Sequence, residues 1–153
     1  GYSLLRRWLF DHMKLGVDDP YPDHDESVAD VLLRPHRSYA RVLLPLIQDG
    51  TVRALSHITG GGIPENLVRV LPDIVHARID RSSWQVPAEF EAVQHHGRVA
   101  ENEMFLTFNM GVGMIVVVTD SAAPAVIDTL QRAGERAWRI GELEAGQRGV
   151  SIQ

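Results

Sequence analysis

Ser56-His57-Ile58-Thr59-Gly60-Gly61-Gly62-Ile63-Pro64-Glu65-Asn66 decides the reading of this chain. Val52 to Ile58 reads as a strand, three glycines end it, and Pro64 stands where the first residue of a helix belongs. Pro64 to Leu71 then reads as a short helix. Glycines let backbone N–H groups approach a ligand with no Cβ in the way. The unpaired N–H groups of a helix start carry partial positive charge and attract anions. Two readings stand side by side: a tight strand-to-helix turn with no ligand, or an anion site flanked by His57 and Thr59, both able to reach phosphate oxygens. The stretch lacks the Gly-Lys-Ser/Thr of a Walker loop, and its spacing is not that of a dinucleotide fingerprint.

Working outward, the spacing of Leu4, Leu5, Trp8, Leu9, His12 and Met13 predicts an amphipathic helix over 4–13, capped by Ser3 and stopped by Gly16. Asp18 to Glu26, with two prolines and five acids, reads as an exposed loop. A helix is expected from Ser38 to Gln48, kinked or shortened at Pro45. Ile74 to Ile79 reads as a strand, and 88–96 and 101–106 as two short helices. Gly113 to Thr119 is a β-branched run that reads as a strand buried on both faces. Ala122 to Ala133 is helical and ends at Gly134, Ala137 to Leu143 returns as a strand, and Val150 to Ile152 follows as a last one. The alternation lacks regular βαβ spacing, so the class is α+β, with one mixed sheet covered by helices.

Composition narrows the chemistry. At 153 residues, 44% hydrophobic and 23% charged, residues 1–153 form one globular domain that needs no disulfide or metal staple. There is no cysteine, which excludes a thiol nucleophile and zinc–cysteine sites and fits a reducing compartment. Fifteen basic residues against 20 acidic ones leave a charge of −5 with no basic cluster, so no nucleic-acid partner is expected. No apolar run approaches the length of a membrane span, and no membrane partner is expected. Lys14 is the only lysine, which leaves Schiff-base chemistry almost no position to use.

Smaller signals accompany the glycine stretch. Phe108-Asn109-Met110-Gly111-Val112-Gly113 places a second glycine pair ahead of the buried strand, with Asn109 polar in an apolar run. Gly1-Tyr2-Ser3-Leu4 sets a small residue and a hydroxyl at a helix start. His95 and His96 are adjacent, so on a helix they diverge by about 100° and are not expected to chelate one metal together. No metal site is expected. The acids of Asp18 to Glu26 lack the glycine and spacing of a calcium loop.

Several segments together carry a resemblance. HITGGGIPENLVRVLP (57–72), SSWQVP (82–87), EMFLTFNMGVGMIVVV (103–118) and GERAWRIGEL (134–143) resemble aminoimidazole ribonucleotide (AIR) synthetase, or phosphoribosylformylglycinamidine cyclo-ligase. GYSLLRR (1–7) and LLRPHRSYARVL (32–43) look like the same family in the same order. The resemblance covers nearly the whole chain but only the second of the family's two domains. It implies that the abrupt start at Gly1 is a cut at the domain junction, with an N-terminal ATP-binding domain upstream.

For function, the resemblance implies a ligase of purine biosynthesis. ATP phosphorylates the formyl-amide oxygen of formylglycinamidine ribonucleotide, and the amidine nitrogen then closes the imidazole ring. It further implies ATP and Mg²⁺ bound mainly by the other domain, a homodimer as the full-length enzyme, a cytoplasmic location, and no activity for this chain alone. On that basis His57 is expected to act as a phosphate contact or proton shuttle. Thr59, Gly60, Gly61 and Gly62 are expected to hold phosphate, Asn66 and Asn109 to position substrate, and Ser3 to lie at the domain seam. The alternatives are a non-catalytic phosphate-binding module, or a domain of a related ATP-dependent synthetase of the superfamily, such as a selenophosphate or formylglycinamidine synthetase.

Overall fold

Apolar residues at helical spacing bury Trp8 and Leu9 near the start of the chain. In the computed structural model, which describes all residues 1–153, they lie on one continuous helix. It begins as α1 (Tyr2–Arg6) and widens into a π-helical segment over Arg7–His12. Gly1, not Ser3, is its N-cap, and no side chain caps it. Ser3 is one residue inside the helix, where its hydroxyl is out of position for the cap. The helix ends when Lys14 turns left-handed at φ 60, before Gly16 is reached.

The acidic loop is less exposed than its composition implies. Pro20 and Ser27 form an isolated antiparallel bridge, and Tyr21 is fully buried between them, its hydroxyl donating to the Glu89 carbonyl at 3.0 Å. A phenol in a polar segment is large enough to outweigh its neighbours and dock the loop. Ser27 then opens a short helix that the sequence reading lacks, α2 (Val28–Leu32). Its capping box is reciprocal: Asp30 N–H donates to Ser27 Oγ at 3.1 Å and Ser27 N–H to Asp30 Oδ2 at 3.3 Å.

The next helix, α3 (Ala40–Gln48), runs through Pro45 without breaking. The carbonyl that Pro45 deprives of a donor belongs to Arg41, which is exposed and open to water. Strand β1 (Ala54–His57) follows, then α4 (Gly62–Leu67), a 3₁₀ turn over Val68–Val70, and β2 (Val75–Ile79). Helices α5 (Ala88–Gly97) and α6 (Glu101–Thr107) lead to β3 (Met114–Val117) and α7 (Ala123–Arg132). The chain closes with β4 (Gly141–Ala145) and β5 (Gly149–Ile152). β4 begins later than the expected 137, since residues 137–140 lie outside any strand, while β5 falls where the strand at 150–152 was expected.

The class is α+β, as expected, but there are two sheets where one was expected. β1 pairs antiparallel with β3, His57 opposite Met114 and Leu55 opposite Val116. β2 is the centre of the other sheet, antiparallel to β4 and parallel to β5. β3 is buried on one face and only partly on the other, because the second face meets a much smaller cluster. Ile115 is buried while Met114, Val116 and Val117 are only partly so. Side chains alternate across this sheet. Ile58 and Ile115 join a cluster of 20 buried residues, among them ones from the π-helical segment 7–12 and from α4, α5, α6 and β2. Leu55, Met114 and Val116 face a smaller cluster of Leu43 and Leu46 from α3 with Val126 and Leu130 from α7.

Candidate functional site

The glycine loop leaves β1 at His57 and enters α4 two residues earlier than the proline implies. Gly61 is the N-cap, and Gly62, not Pro64, is the first helical residue; Pro64 is the third. The three glycines are not equivalent. Gly61 and Gly62 are left-handed, at φ 92 and 58, which only glycine adopts without strain. A Cβ on Gly62 would collide with the Phe105 carbonyl and lie 3.0 Å from that of Phe108. Gly62 is therefore required by close packing against the end of α6. Gly60 has nothing within 4 Å of where its Cβ would be. Gly60 is the open side of the loop.

Asn66 is buried, and its amide points back into the loop. Its Nδ2 donates to the carbonyls of Gly62 at 2.8 Å and Gly60 at 3.1 Å, with Thr59 at 3.4 Å, while Arg69 donates to its Oδ1 at 3.3 Å. These bonds occupy the carbonyls of Thr59, Gly60 and Gly62, while the N–H groups of Gly60 and Gly61 have no partner within the protein. Gly62 N–H closes the turn on the Thr59 carbonyl at 3.0 Å. Glu65 folds over Gly61, where its carboxylate complements the helix start. An anion approaching the loop therefore has free access at Thr59 and Gly60, both exposed, and meets Glu65 at Gly61.

Phe108, at the head of the segment that carries the second glycine pair, packs beside the loop, while Gly111 and Gly113 themselves lie against Pro87 and Tyr39. The ring of Phe108 lies against Gly1, and the carbonyl of Phe108 against Gly62. The structure thus brings together the three segments that the sequence singles out, around one residue of α6's C-terminus. Asn109 accepts the Gly111 N–H at 3.0 Å, forming an Asx turn that leaves its amide nitrogen without a partner within the protein. Ser3 is exposed on α1, two residues from Gly1, and no hydrogen bond links it to the loop.

His57 has partners that the sequence does not announce. Its Nε2 lies 2.8 Å from Nε2 of His36, which reaches across from the segment before α3. One ring donates and the other accepts, so the contact needs at least one neutral imidazole. Tyr39 stacks edge-on to both rings, with centroids 6.3 and 6.4 Å away, and its hydroxyl packs on Gly113. Burial, and then the negative charge of Glu135, push the Tyr39 hydroxyl above the ordinary tyrosine range, keeping it protonated at neutral pH. Arg37 holds Glu135 at 2.7 Å and anchors this segment to the end of α7. His36 and Tyr39 were legible only as Pro-His-Arg-Ser-Tyr ahead of a helix; no spacing rule links them to His57.

Two other features lie apart. A mostly apolar cavity of about 690 Å³ lies between β3, α7 and β4, and shares Tyr39 and Glu135 with the residues above. At the end of α5, His95 and His96 do converge, against the expectation from helical geometry. Their rings are 4.9 Å apart, and one ligand atom from each lies within 4.8 Å of the other and of an Asp23 oxygen. Both occupy the last turn before Arg98 goes left-handed, where side-chain rotation can offset the backbone angle.

These features define an α+β domain that presents a glycine-rich loop, held from behind by an asparagine, beside a histidine pair at a sheet edge. The family described as "AIR synthase related protein, C-terminal domain" matches residues 7–152, and the chain belongs to that family. It is 43% identical over 155 residues to the phosphoribosylformylglycinamidine cyclo-ligase of Geotalea uraniireducens (strain Rf4), spanning 99% of this chain and 44% of that protein. The protein of the same name from Sorangium cellulosum (strain So ce56) is 47% identical over 145 residues, 94% of this chain and 42% of that protein. The chain therefore spans less than half the length of these relatives. Among solved structures, thiamine-monophosphate kinase from Stenotrophomonas maltophilia K279a shares the fold, with a TM-score of 0.64 at 19% identity over 99% of this chain and 46% of that one. The hydrogenase maturation protein HypE of E. coli matches with a TM-score of 0.58 at 19% identity, over 88% of this chain and 44% of that one. No helix is long and apolar enough to cross a membrane.

Proposed function

We propose that this chain is the C-terminal, substrate-side domain of a phosphoribosylformylglycinamidine cyclo-ligase. The observation that carries the reading is the similarity to relatives of that name, which extends over 99% of the chain at 43% identity. In this reading ATP phosphorylates the formyl-amide oxygen of formylglycinamidine ribonucleotide, and the amidine nitrogen displaces phosphate as the imidazole closes. Such chemistry depends on positioning and on neutralising phosphate charge more than on a strong nucleophile. ATP and Mg²⁺ are held mainly by a second domain, in a cytoplasmic homodimer.

The residues of this chain have separate tasks in that scheme. Thr59 and Gly60, exposed at the open side of the loop, offer a hydroxyl and backbone N–H groups to a phosphate. Gly61 and Gly62 supply the left-handed turn that aims those groups, and Asn66 holds the carbonyls away from the anion. His57, paired with His36, contacts phosphate or passes a proton. Asn109 meets the substrate through its amide nitrogen, and Ser3 lies at the seam with the second domain.

The test is ring closure measured with the two domains in one polypeptide. Turnover is expected there and not from the 153-residue chain by itself. His57→Ala should lower kcat, and unchanged turnover would remove His57 from the scheme. ATP-dependent ring closure by this chain alone would overturn the two-domain reading.

A further inference from the structure

We propose that Asp23, His95 and His96 form a binding site for a divalent transition-metal ion of the zinc type, remote from the glycine loop. Two imidazoles and a carboxylate are the donor set that such ions prefer, whereas Mg²⁺ and Ca²⁺ favour all-oxygen sites. One ligand atom from each of the three residues already lies within 4.8 Å of the others. Zinc bonds of about 2.0–2.2 Å place tetrahedral ligands roughly 3.3 Å apart, so closure needs only side-chain rotation of about an ångström. All three residues are exposed, so no packed group has to move.

The arrangement is held from below. Asp23 sits left-handed at φ 58 at the tip of the loop that the Pro20–Ser27 bridge closes. Two residues earlier, Tyr21 is buried and bonds the Glu89 carbonyl at 3.0 Å, on α5, the helix that ends in His95 and His96. Tyr21 N–H also donates to the Glu26 carbonyl at 2.9 Å, and Arg34 joins Glu26 to Glu89. Loop and helix are thus fixed to one another before any ion arrives. Asp23 Oδ2 lies 2.7 Å from His96 Nε2. The ion would replace the proton shared in that contact, releasing it to solvent, and His95 would add the third bond. Three protein ligands leave the remaining position to water, and the bound ion would clamp the acidic loop to the end of α5.

The experiment is calorimetric titration of the full chain with Zn²⁺ in a millimolar excess of Mg²⁺. One equivalent is expected at micromolar affinity, with a rise in melting temperature that Mg²⁺ does not produce. His95→Ala, His96→Ala and Asp23→Ala should each weaken binding by about tenfold or more, at least what loss of a mere outer-shell partner costs. Their zinc-free melting curves should match the parent, since the side chains are exposed. No saturable binding by about 100 μM Zn²⁺, far above micromolar affinity, would overturn the site. So would loss of binding in His36→Ala with none in His95→Ala, which would move the ion to the His36–His57 pair.

Discussion

On one side of β1 and β3, Ile58 and Ile115 enter a cluster of 20 buried residues; on the other, Leu55, Met114 and Val116 meet only four. The larger cluster contains Ile63 and Leu67 from α4, Met104 and Phe105 from α6, and Phe108 and Met110 from the turn beyond it. These are the segments that shape the glycine loop, so its conformation is determined by the core beneath it. The smaller cluster is two helices laid on a two-stranded sheet, with a cavity of about 690 Å³ beside it and Leu44 and Ile47 exposed on α3. The difference teaches where rigidity resides. Changes on the first side should be felt in both stability and loop geometry, and changes on the second in stability alone.

The sharpest way to break that contrast is within the loop itself. Gly62→Ala combines a left-handed backbone with a collision on the Phe105 carbonyl. It should destabilise by about 3–5 kcal/mol, read from urea unfolding. Gly60→Ala, with open space around it, should stay within about 0.5 kcal/mol. Equal effects would mean that the loop is not set by packing. Between the clusters, Met104→Ala should cost about 3 kcal/mol and Leu130→Ala about 2 kcal/mol, because the fully buried methionine leaves the better-enclosed void. A larger loss for Leu130 would reverse the comparison.

Asn66→Ala removes the amide that gathers the loop carbonyls and should cost about 2 kcal/mol in thermal or urea unfolding. Full stability with lost phosphate affinity would instead make Asn66 a direct ligand. A further effect is expected at alkaline pH. Burial first, and then the Glu89 charge, push the Tyr21 hydroxyl far above the ordinary tyrosine value of 10.0. Above that value the unfolded chain releases the proton while the folded one keeps it, so stability is full below pH 10 and falls as pH rises beyond it. Tyr21→Phe should flatten that alkaline limb in a pH series of melts, and an unchanged limb would place the titration elsewhere.

How much of this was legible depends on the range of the interaction. The strand into the glycines, the helices near 40–48, 88–97 and 101–107, and the glycine stop at Gly134 rest on local patterning and turn chemistry, and the chain obeys them. Local rules misplace the start of α4, because Pro64 is acceptable anywhere in the first turn while only packing on Phe105 demands glycine at 62. They also miss α2, whose capping box lies inside a polar run, and the burial of Tyr21. For the site, the glycines and His57 stand out by residue type. The His36 partner and the inward turn of Asn66 do not, since each depends on where a distant segment or a buried amide comes to rest.

By itself, the amino-acid order determined the class of fold, the loop, and the kinship of the chain. Those follow from short-range steric and capping preferences and from residues that stand in the family's order. The tertiary structure alone decided that β1 and β3 stand apart from the second sheet. It also brought Gly1, Gly62 and Phe108 to one point, and Asp23 to the end of α5. Such contacts join residues far apart along the chain, and no local preference encodes them; they are settled by which apolar surfaces can close over one another.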